Sequence, residues 1–472
     1  MPLILGANTL SAGGYEIDNS LRFNSGSSDY LSRTPATTTN QKTWTYSFWI
    51  KRTVLGTTQY FLYARNDDNN RSYFRFTSSD TLGFFATSSA SVKLEGSITT
   101  RVFRDVSAWY HIVLSADTTQ ATSTNRFKIY VNGTEQTLTL DTTPSLNSDL
   151  SMNIAHPTAI GVYADGLTGY LNGYMSEINL IDGQQLDPTS FGETDEDSGI
   201  WKPIRYTGTY GTNGFYLEFK DSSALGDDTS GNGNDFTVNN LTSIDQTTDT
   251  PTNNFATMNP LDNFYAQSTF SEGNLKVVTG TTQYSSNTGT IGVSTGKWYW
   301  EVEFDVDNAG NRVSHIGIKS QQDTDTDEGL GTKSTDWGYR GFNGEYYNNA
   351  TSTAYGNTYV AGDIISVALD LDNNKLYFAK NGVWQNSGDP TSGATGTGAI
   401  SITDPASTIF GSYFPAFSYQ DGSSTGTFLT NFGNPPFTIS SGNSDANGYG
   451  NFEYEVPSGY YALCTKNLAE YG

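Results

Sequence analysis

Glu301, Glu303 and Asp305 alternate along one short stretch, and carboxylates two residues apart on a strand stand about 6.5–7 Å from each other. At that separation one carboxylic acid can protonate a leaving oxygen while another activates water or attacks, which is glycoside chemistry. The alternate positions hold Trp298, Trp300, Val302 and Phe304, so the same stretch also reads as a half-buried strand with a polar outer face. The histidines are His111, His156 and His315; His111 and His315 sit inside strand-like motifs far apart in the chain, where packing is their ordinary fate. No Ser-His-Asp or Cys-His arrangement and no Gly-x-Ser-x-Gly elbow can be assembled, and zinc chemistry lacks ligands. Oxygen ligands are denser. Asn66-Asp67-Asp68-Asn69-Asn70 with Asp165-Gly166 could present Asp67, Asp68, Asn69 and Asp165 to Ca²⁺, or could be solvated turns; Asp227-Asp228 is a weaker candidate. The stretch 336–347 is aromatic and Gly-rich without clear alternation. Trp337, Tyr339, Arg340, Tyr346 and Tyr347 could stack on and orient a ligand from a loop, or could pack between strands.

The elements that must position these residues are strands. Aromatics make up 14 % of 472 residues and charged residues only 16 %, with Thr, Ser, Asn and Gly filling the difference. Aromatic and β-branched residues suit pleated surfaces, and Gly and Asn suit turns. No long stretch has a helical apolar period. Two Asn-Gly turns, Asn132-Gly133 and Asn381-Gly382, each follow an alternating apolar run, the strongest short-range hairpin signal. Trp44, Tyr46, Phe48 and Ile50 alternate with Thr45, Ser47, Trp49 and Lys51 as a half-buried strand, and Pro415 suggests an edge or a bulge. Turn formers crowd residues 221–263. The expected organisation is an arm over 1–20, a β-sandwich over 21–245, a linker over 246–263 and a second sandwich over 264–472.

A net charge of −24 disfavours nucleic acid, anionic membranes and acidic polysaccharides, the last two unless divalent cations bridge them. The single cysteine, Cys464, allows no intrachain disulfide. Met1-Pro2-Leu3-Ile4-Leu5-Gly6 has no basic flank and reads as no secretory signal, and nothing downstream reads as a membrane span.

Trp109-Tyr110-His111-Ile112-Val113, Phe127-Lys128-Ile129-Tyr130-Val131-Asn132-Gly133 and Gly173-Tyr174-Met175-Ser176-Glu177-Ile178 resemble, in order and spacing, the laminin-G-like (concanavalin A-like) jelly rolls, over roughly residues 20–240. Phe215-Tyr216-Leu217-Glu218-Phe219 looks like an opening strand of such a domain placed late, and is expected to pair with the N-terminal strand. Gly296-Lys297-Trp298-Tyr299-Trp300-Glu301-Val302, His315-Ile316-Gly317-Ile318, Gly362–Asp370 and Tyr413-Phe414-Pro415-Ala416 resemble a SPRY domain over roughly 260–440. The first resemblance implies a possible Ca²⁺ at the sandwich rim; the second implies protein recognition through loops. Glu-x-Glu-x-Asp departs from the pattern of concanavalin-like glycosidases and sits in the SPRY-like block, so no turnover is expected. The two blocks together are similar to structural or tail-fibre-type proteins of tailed bacteriophages. The expectation is therefore an all-β chain of two tandem antiparallel β-sandwiches, acting as a virion adhesin. It would bind a host-surface glycan or receptor and other virion proteins, as a homo-oligomer for which fibre analogy suggests a trimer. A structural virion protein without a receptor and a polysaccharide depolymerase are the alternatives.

Overall fold

The computed structural model describes residues 14–263, 267–281, 283–308, 314–320, 329–421 and 423–472. Most of the expected 1–20 arm lies outside them. Contacts divide the chain between Thr252 and Asn253, inside the expected linker. That stretch does not hang free: Gln246–Thr247 pairs with the strand Ser20–Phe23, and Phe255 bridges to Cys464 within the second unit.

In the first unit one sheet runs, in spatial order, through Thr134–Glu135, Phe127–Val131, Trp109–Asp117, Thr43–Arg52, Gly173–Asp182, Ser20–Phe23 and Gln246–Thr247. The other runs through Thr139–Thr142, Ser91–Ile98, Leu82–Ser88, Asn70–Phe76, Gln59–Asp67, Thr158–Ile160, Tyr30–Arg33 and Thr237–Asn239. Trp44, Tyr46, Phe48, Phe61, Phe74, Phe76 and Phe84 fill the space between them. The late strand Phe215–Leu217 pairs with Gly173–Asp182, and the N-terminal strand takes Gln246–Thr247 instead. Asn132 and Gly133 both adopt positive φ, as the hairpin signal requires. The turn-rich run after Asp227 is organised by Asp228, whose carboxylate accepts from the backbone N–H of Tyr216, Ser230 and Asn234.

Thr43–Arg52 is buried on both faces rather than one. Its outer face lies under a second layer made from residues 15–20 and 184–216. There Ser47 Oγ meets His111 Nε2 at 2.9 Å, and Trp201 Nε1 donates to His111 Nδ1 at 3.0 Å. The ring is therefore the neutral Nε2–H tautomer, donating to Ser47; burial pulls its pKa down to about 3. A histidine so fixed is a packing element, not a base.

A titrating group on the sheet faces the same layer. Gly173–Asp182 bulges between Ser176 and Asn179, and Glu177 there takes φ +52°. Its carboxylate accepts from Tyr216 Oη at 2.7 and 2.8 Å and from Tyr15 Oη at 2.9 Å. Burial is the main reason its pKa rises from 4.5 to about 7; the two phenols and Arg205 oppose the rise, and Glu218 adds to it. The folded state thus binds the proton more tightly than the unfolded chain. This group's contribution is full below pH 4.5, falls as pH rises and is lost above about 7, a change of about 3 kcal/mol. Urea denaturation from pH 4.5 to 8 is expected to show that decline, and Glu177→Gln to flatten it. An unchanged slope in the variant would assign the decline elsewhere.

The second unit is also two layers, antiparallel except for Tyr461–Ala462, which adds in parallel to Lys297–Asp307 within the first of its sheets. One sheet orders Thr269–Ser271, Lys276–Val278, Gly426–Asn431, Lys297–Asp307, Asp363–Asp370, Lys375–Lys380 and Val383–Trp384; the other orders Gln283–Thr288, Phe414–Asp421, Ser314–Lys319, Asp336–Arg340, Glu345–Asn348 and Thr351–Ala354. Trp298, Trp300, Phe304, Tyr339, Phe378 and Phe428 form the core. Phe414–Asp421 is an interior strand, with Pro415 as its second residue, near the end where a missing N–H disturbs pairing least. A second apolar cluster of Tyr299, Tyr377, Phe452, Val456, Tyr460 and Cys464 covers the outer face of the first of these sheets. Among the described residues the single α-helix is Thr465–Tyr471.

Candidate binding face

Among the described residues, a polar–aromatic surface lies on the outer face of the first unit's second sheet. In Asn70–Phe76 the residues alternate: Phe74 and Phe76 enter the core while Arg71, Tyr73 and Arg75 point outward. Cross-strand register then sets three rows. Tyr63, Tyr73 and Phe85 stand opposite one another, Tyr60 faces Arg75, and Arg65 faces Arg71. Tyr73 stacks on Phe85 with centroids 5.0 Å apart and planes at 15°. Tyr163, from the segment after Thr158–Ile160, closes over Tyr60 and Tyr63 at 4.9 and 4.6 Å.

Arg75 lies between Tyr60 and Tyr73, 5.6 and 5.1 Å from the ring centroids, and its Nη1 donates to Tyr60 Oη at 2.9 Å. Among the described residues it has no carboxylate partner, and its Nε makes no hydrogen bond. Burial raises the phenols of Tyr63 and Tyr73, so both stay neutral. The half-buried rings of Tyr73, Phe85 and Tyr163 offer flat apolar area, and Arg71 and Arg75 offer donors in fixed planes. Such a surface stacks on the C–H faces of a sugar and donates to its oxygens.

The expected Ca²⁺ ligands border this face but do not fit a metal. Arg71 Nη1 and Arg65 Nη2 reach Asp68 Oδ1 at 2.8 and 3.3 Å, and Arg65 Nη1 reaches Asp165 Oδ1 at 2.9 Å. Asp67 Oδ1 accepts from Asn69 N and Asn70 Nδ2. Guanidinium groups supply the positive charge that a cation would bring, and among the described residues no cluster of three metal-ligating acids or histidines forms.

The expected aromatic loop is a strand and a hairpin. Trp337 and Tyr339 are 3 % and 0 % exposed in the second core, and Tyr346 packs against that core. Arg340 and Tyr347 do meet on the outer side: the guanidinium lies 4.9 Å over the Tyr347 ring, and Arg340 Nε donates to His315 Nε2 at 3.0 Å. His315 donates through Nδ1 to Leu330 O, and burial followed by the Arg340 charge pulls its pKa down to about 4. Arg340 is thereby occupied. Glycines hid the alternation. Gly338 stands opposite Gly317, where an added Cβ would lie 1.9 Å from Trp337 O.

The carboxylate row also changes meaning. Glu301 is fully buried and hydrogen-bonded on both oxygens, not on a polar outer face. Glu303 is half-buried and Asp305 sits 3.9 Å from Lys276 Nζ. The three carboxylates differ in environment: one is enclosed, one is half-buried and one borders a lysine.

Sequence alone does not single out the Tyr73–Arg75 face; the Arg-x-Tyr-x-Arg spacing of Arg71, Tyr73 and Arg75 is the available signal.

Comparison with known proteins agrees with this architecture. The SPRY domain family matches residues 297–432, and the concanavalin A-like lectin/glucanases superfamily matches residues 25–186. Among solved structures, the SPRY domain of human HERC1 is 19 % identical, the match covering 37 % of this chain and 96 % of that one at a TM-score of 0.28. A human SPRY domain is 15 % identical over 33 % of this chain and 90 % of its own, at 0.24. The heptameric SAP-like pentraxin from Limulus polyphemus is 19 % identical over 37 % and 80 %, at 0.28. By these family matches the chain carries a concanavalin A-like domain followed by a SPRY domain.

Proposed function

We propose that this protein is an adhesin or fibre component of a tailed-bacteriophage virion that holds a host-surface glycan on the Tyr73–Arg75 face. The observation that carries the glycan reading is the Arg75 guanidinium set between Tyr60 and Tyr73, without a counter-carboxylate among the described residues, on a face it shares with aromatic rings. The site is a sheet face rather than rim loops. The phage setting rests on the resemblance read from the two sequence blocks taken together, and on a composition suited to recognition in a chain with one cysteine. Binding needs no turnover. Several copies in a homo-oligomer would raise a weak single-site affinity by effective concentration.

A glycan array probed with the full chain is expected to retain a defined saccharide class, with and without EDTA, because arginines stand where Ca²⁺ was expected. Tyr73→Ala and Arg75→Ala should each weaken retention about tenfold, the scale of one lost stacking or charge-assisted contact. Retention unchanged in both variants, or abolished by chelation, would overturn the assignment of the face. A parent chain that binds no glycan and is found within the head or tail joint of particles would favour the structural virion role.

A further inference from the structure

The outer face of the second unit's first sheet is not sealed along its whole length. A cleft of about 620 Å³ opens between Tyr299 and Ser366 on the sheet, the segment Trp384–Thr391, and residues 454–458 near the C-terminus. The second Asn-Gly turn builds one wall. Gly382 takes φ +77°, and a Cβ there would strike the Tyr454 ring at 2.6 Å, so glycine both closes the hairpin and admits that ring.

Trp384 and Tyr454 are half-exposed in the walls, and the exposed carboxylates of Asp389 and Glu455 stand at the rim. Among the described residues, no lysine, arginine or histidine lines the cleft. Asp389 Oδ1 accepts from Thr391 N and Oγ1, whereas Glu455 has no partner among the described residues. At the base Ser366 is 1 % exposed, with its hydroxyl engaged by Tyr299.

We propose that this cleft binds an arginine side chain presented by a partner polypeptide. A guanidinium is planar and donor-only. It suits ring faces and carboxylates together, and the chain's charge of −24 favours it over any anion. Residues 454–458 lie beyond the 297–432 SPRY match, so this wall belongs to the chain's own extension. The inference is independent of the glycan face.

The test titrates the full chain calorimetrically with acetyl-Gly-Arg-Gly-Arg-Gly-amide, its citrulline counterpart and a neutral oligosaccharide such as maltohexaose. The arginine peptide is expected to bind and the citrulline peptide to bind at least about tenfold more weakly. Glu455→Gln, which removes a rim charge and no internal contact, and Trp384→Leu should each reduce arginine-peptide affinity several-fold, and 0.5 M salt should reduce it in the parent. No arginine binding at millimolar peptide, equal binding of citrulline, indifference to Glu455→Gln and Trp384→Leu, or binding of the saccharide with the same dependence on Trp384 would each overturn the proposal.

Discussion

Replacing Glu301 with alanine is expected to remove about 3–5 kcal/mol from the stability of the second unit and to release its C-terminal covering segment to protease. Glu301 Oε1 accepts from Tyr299 Oη at 2.9 Å and from Tyr454 N at 2.8 Å, while Oε2 accepts from Asn431 Nδ2 at 3.1 Å and Glu453 N at 3.0 Å. Two of those donors are backbone groups of the segment that covers the sheet, so one carboxylate ties an interior strand to the layer above it. Truncation leaves the donors in a space that is 0 % exposed, and each unsatisfied donor costs about 1–3 kcal/mol. Water entering the gap keeps the total below the sum of the four. Glu301→Gln keeps two acceptor lone pairs but turns an amine toward donors, so about half the loss is expected. Urea denaturation monitored by tryptophan fluorescence measures both variants. A loss under about 1 kcal/mol for Glu301→Ala would show that the covering segment is held by its apolar contacts alone.

That result would also bear on how the carboxylate row is understood. Alternation in Lys297–Asp307 correctly places Trp298, Trp300, Val302 and Phe304 on one face. Alternation cannot say whether the opposite face meets water, because that depends on residues 435–464, more than a hundred positions away. The same gap explains Thr43–Arg52, whose outer Ser47, Trp49 and Lys51 are buried by residues from both ends of the first unit. Local pattern fixed the period and missed the second layer. Hairpins were legible because Asn-Gly carries its own backbone requirement, which Asn132-Gly133 and Asn381-Gly382 fulfil with positive φ.

Sites were less legible than strands for a related reason. Trp337 and Tyr339 attracted attention as aromatic residues among glycines, yet glycine there permits close strand pairing rather than a loop. Asp67, Asp68 and Asp165 are the right ligand types for Ca²⁺, but ligand type says nothing about Arg65 and Arg71, which the sheet register places against them. Tyr73 and Arg75 become a surface only when Tyr60, Phe85 and Tyr163 are brought alongside by three different segments. Fold class follows from period and turn chemistry. A binding face on a sheet follows from register.

The first unit has its own clasp, and breaking it is expected to have an effect of the same size as the Glu301 change. Lys51 Nζ lies 2.8 Å from Asp249 Oδ2, with the two side chains 1 % and 0 % exposed, and Trp109 Nε1 donates to Asp249 Oδ1 at 3.1 Å. Asp249 lies in the stretch expected to be a linker, so this pair fastens the end of the unit to its central strands. Asp249→Ala takes the counter-charge from a buried ammonium, and about 3–5 kcal/mol of stability should go with it. Lys51→Met alone leaves a buried carboxylate and should cost a similar amount. The pair replaced together by Met and Leu should lose much less than the two single losses added, because desolvation of both charges is no longer required. The four proteins form a double-mutant cycle read by urea denaturation, with limited proteolysis reporting whether residues 246–252 come loose. Additive losses across the cycle would mean that Lys51 and Asp249 contribute through separate packing, and the end of this unit would then be held by the Gln246–Thr247 pairing and its neighbours rather than by the ion pair.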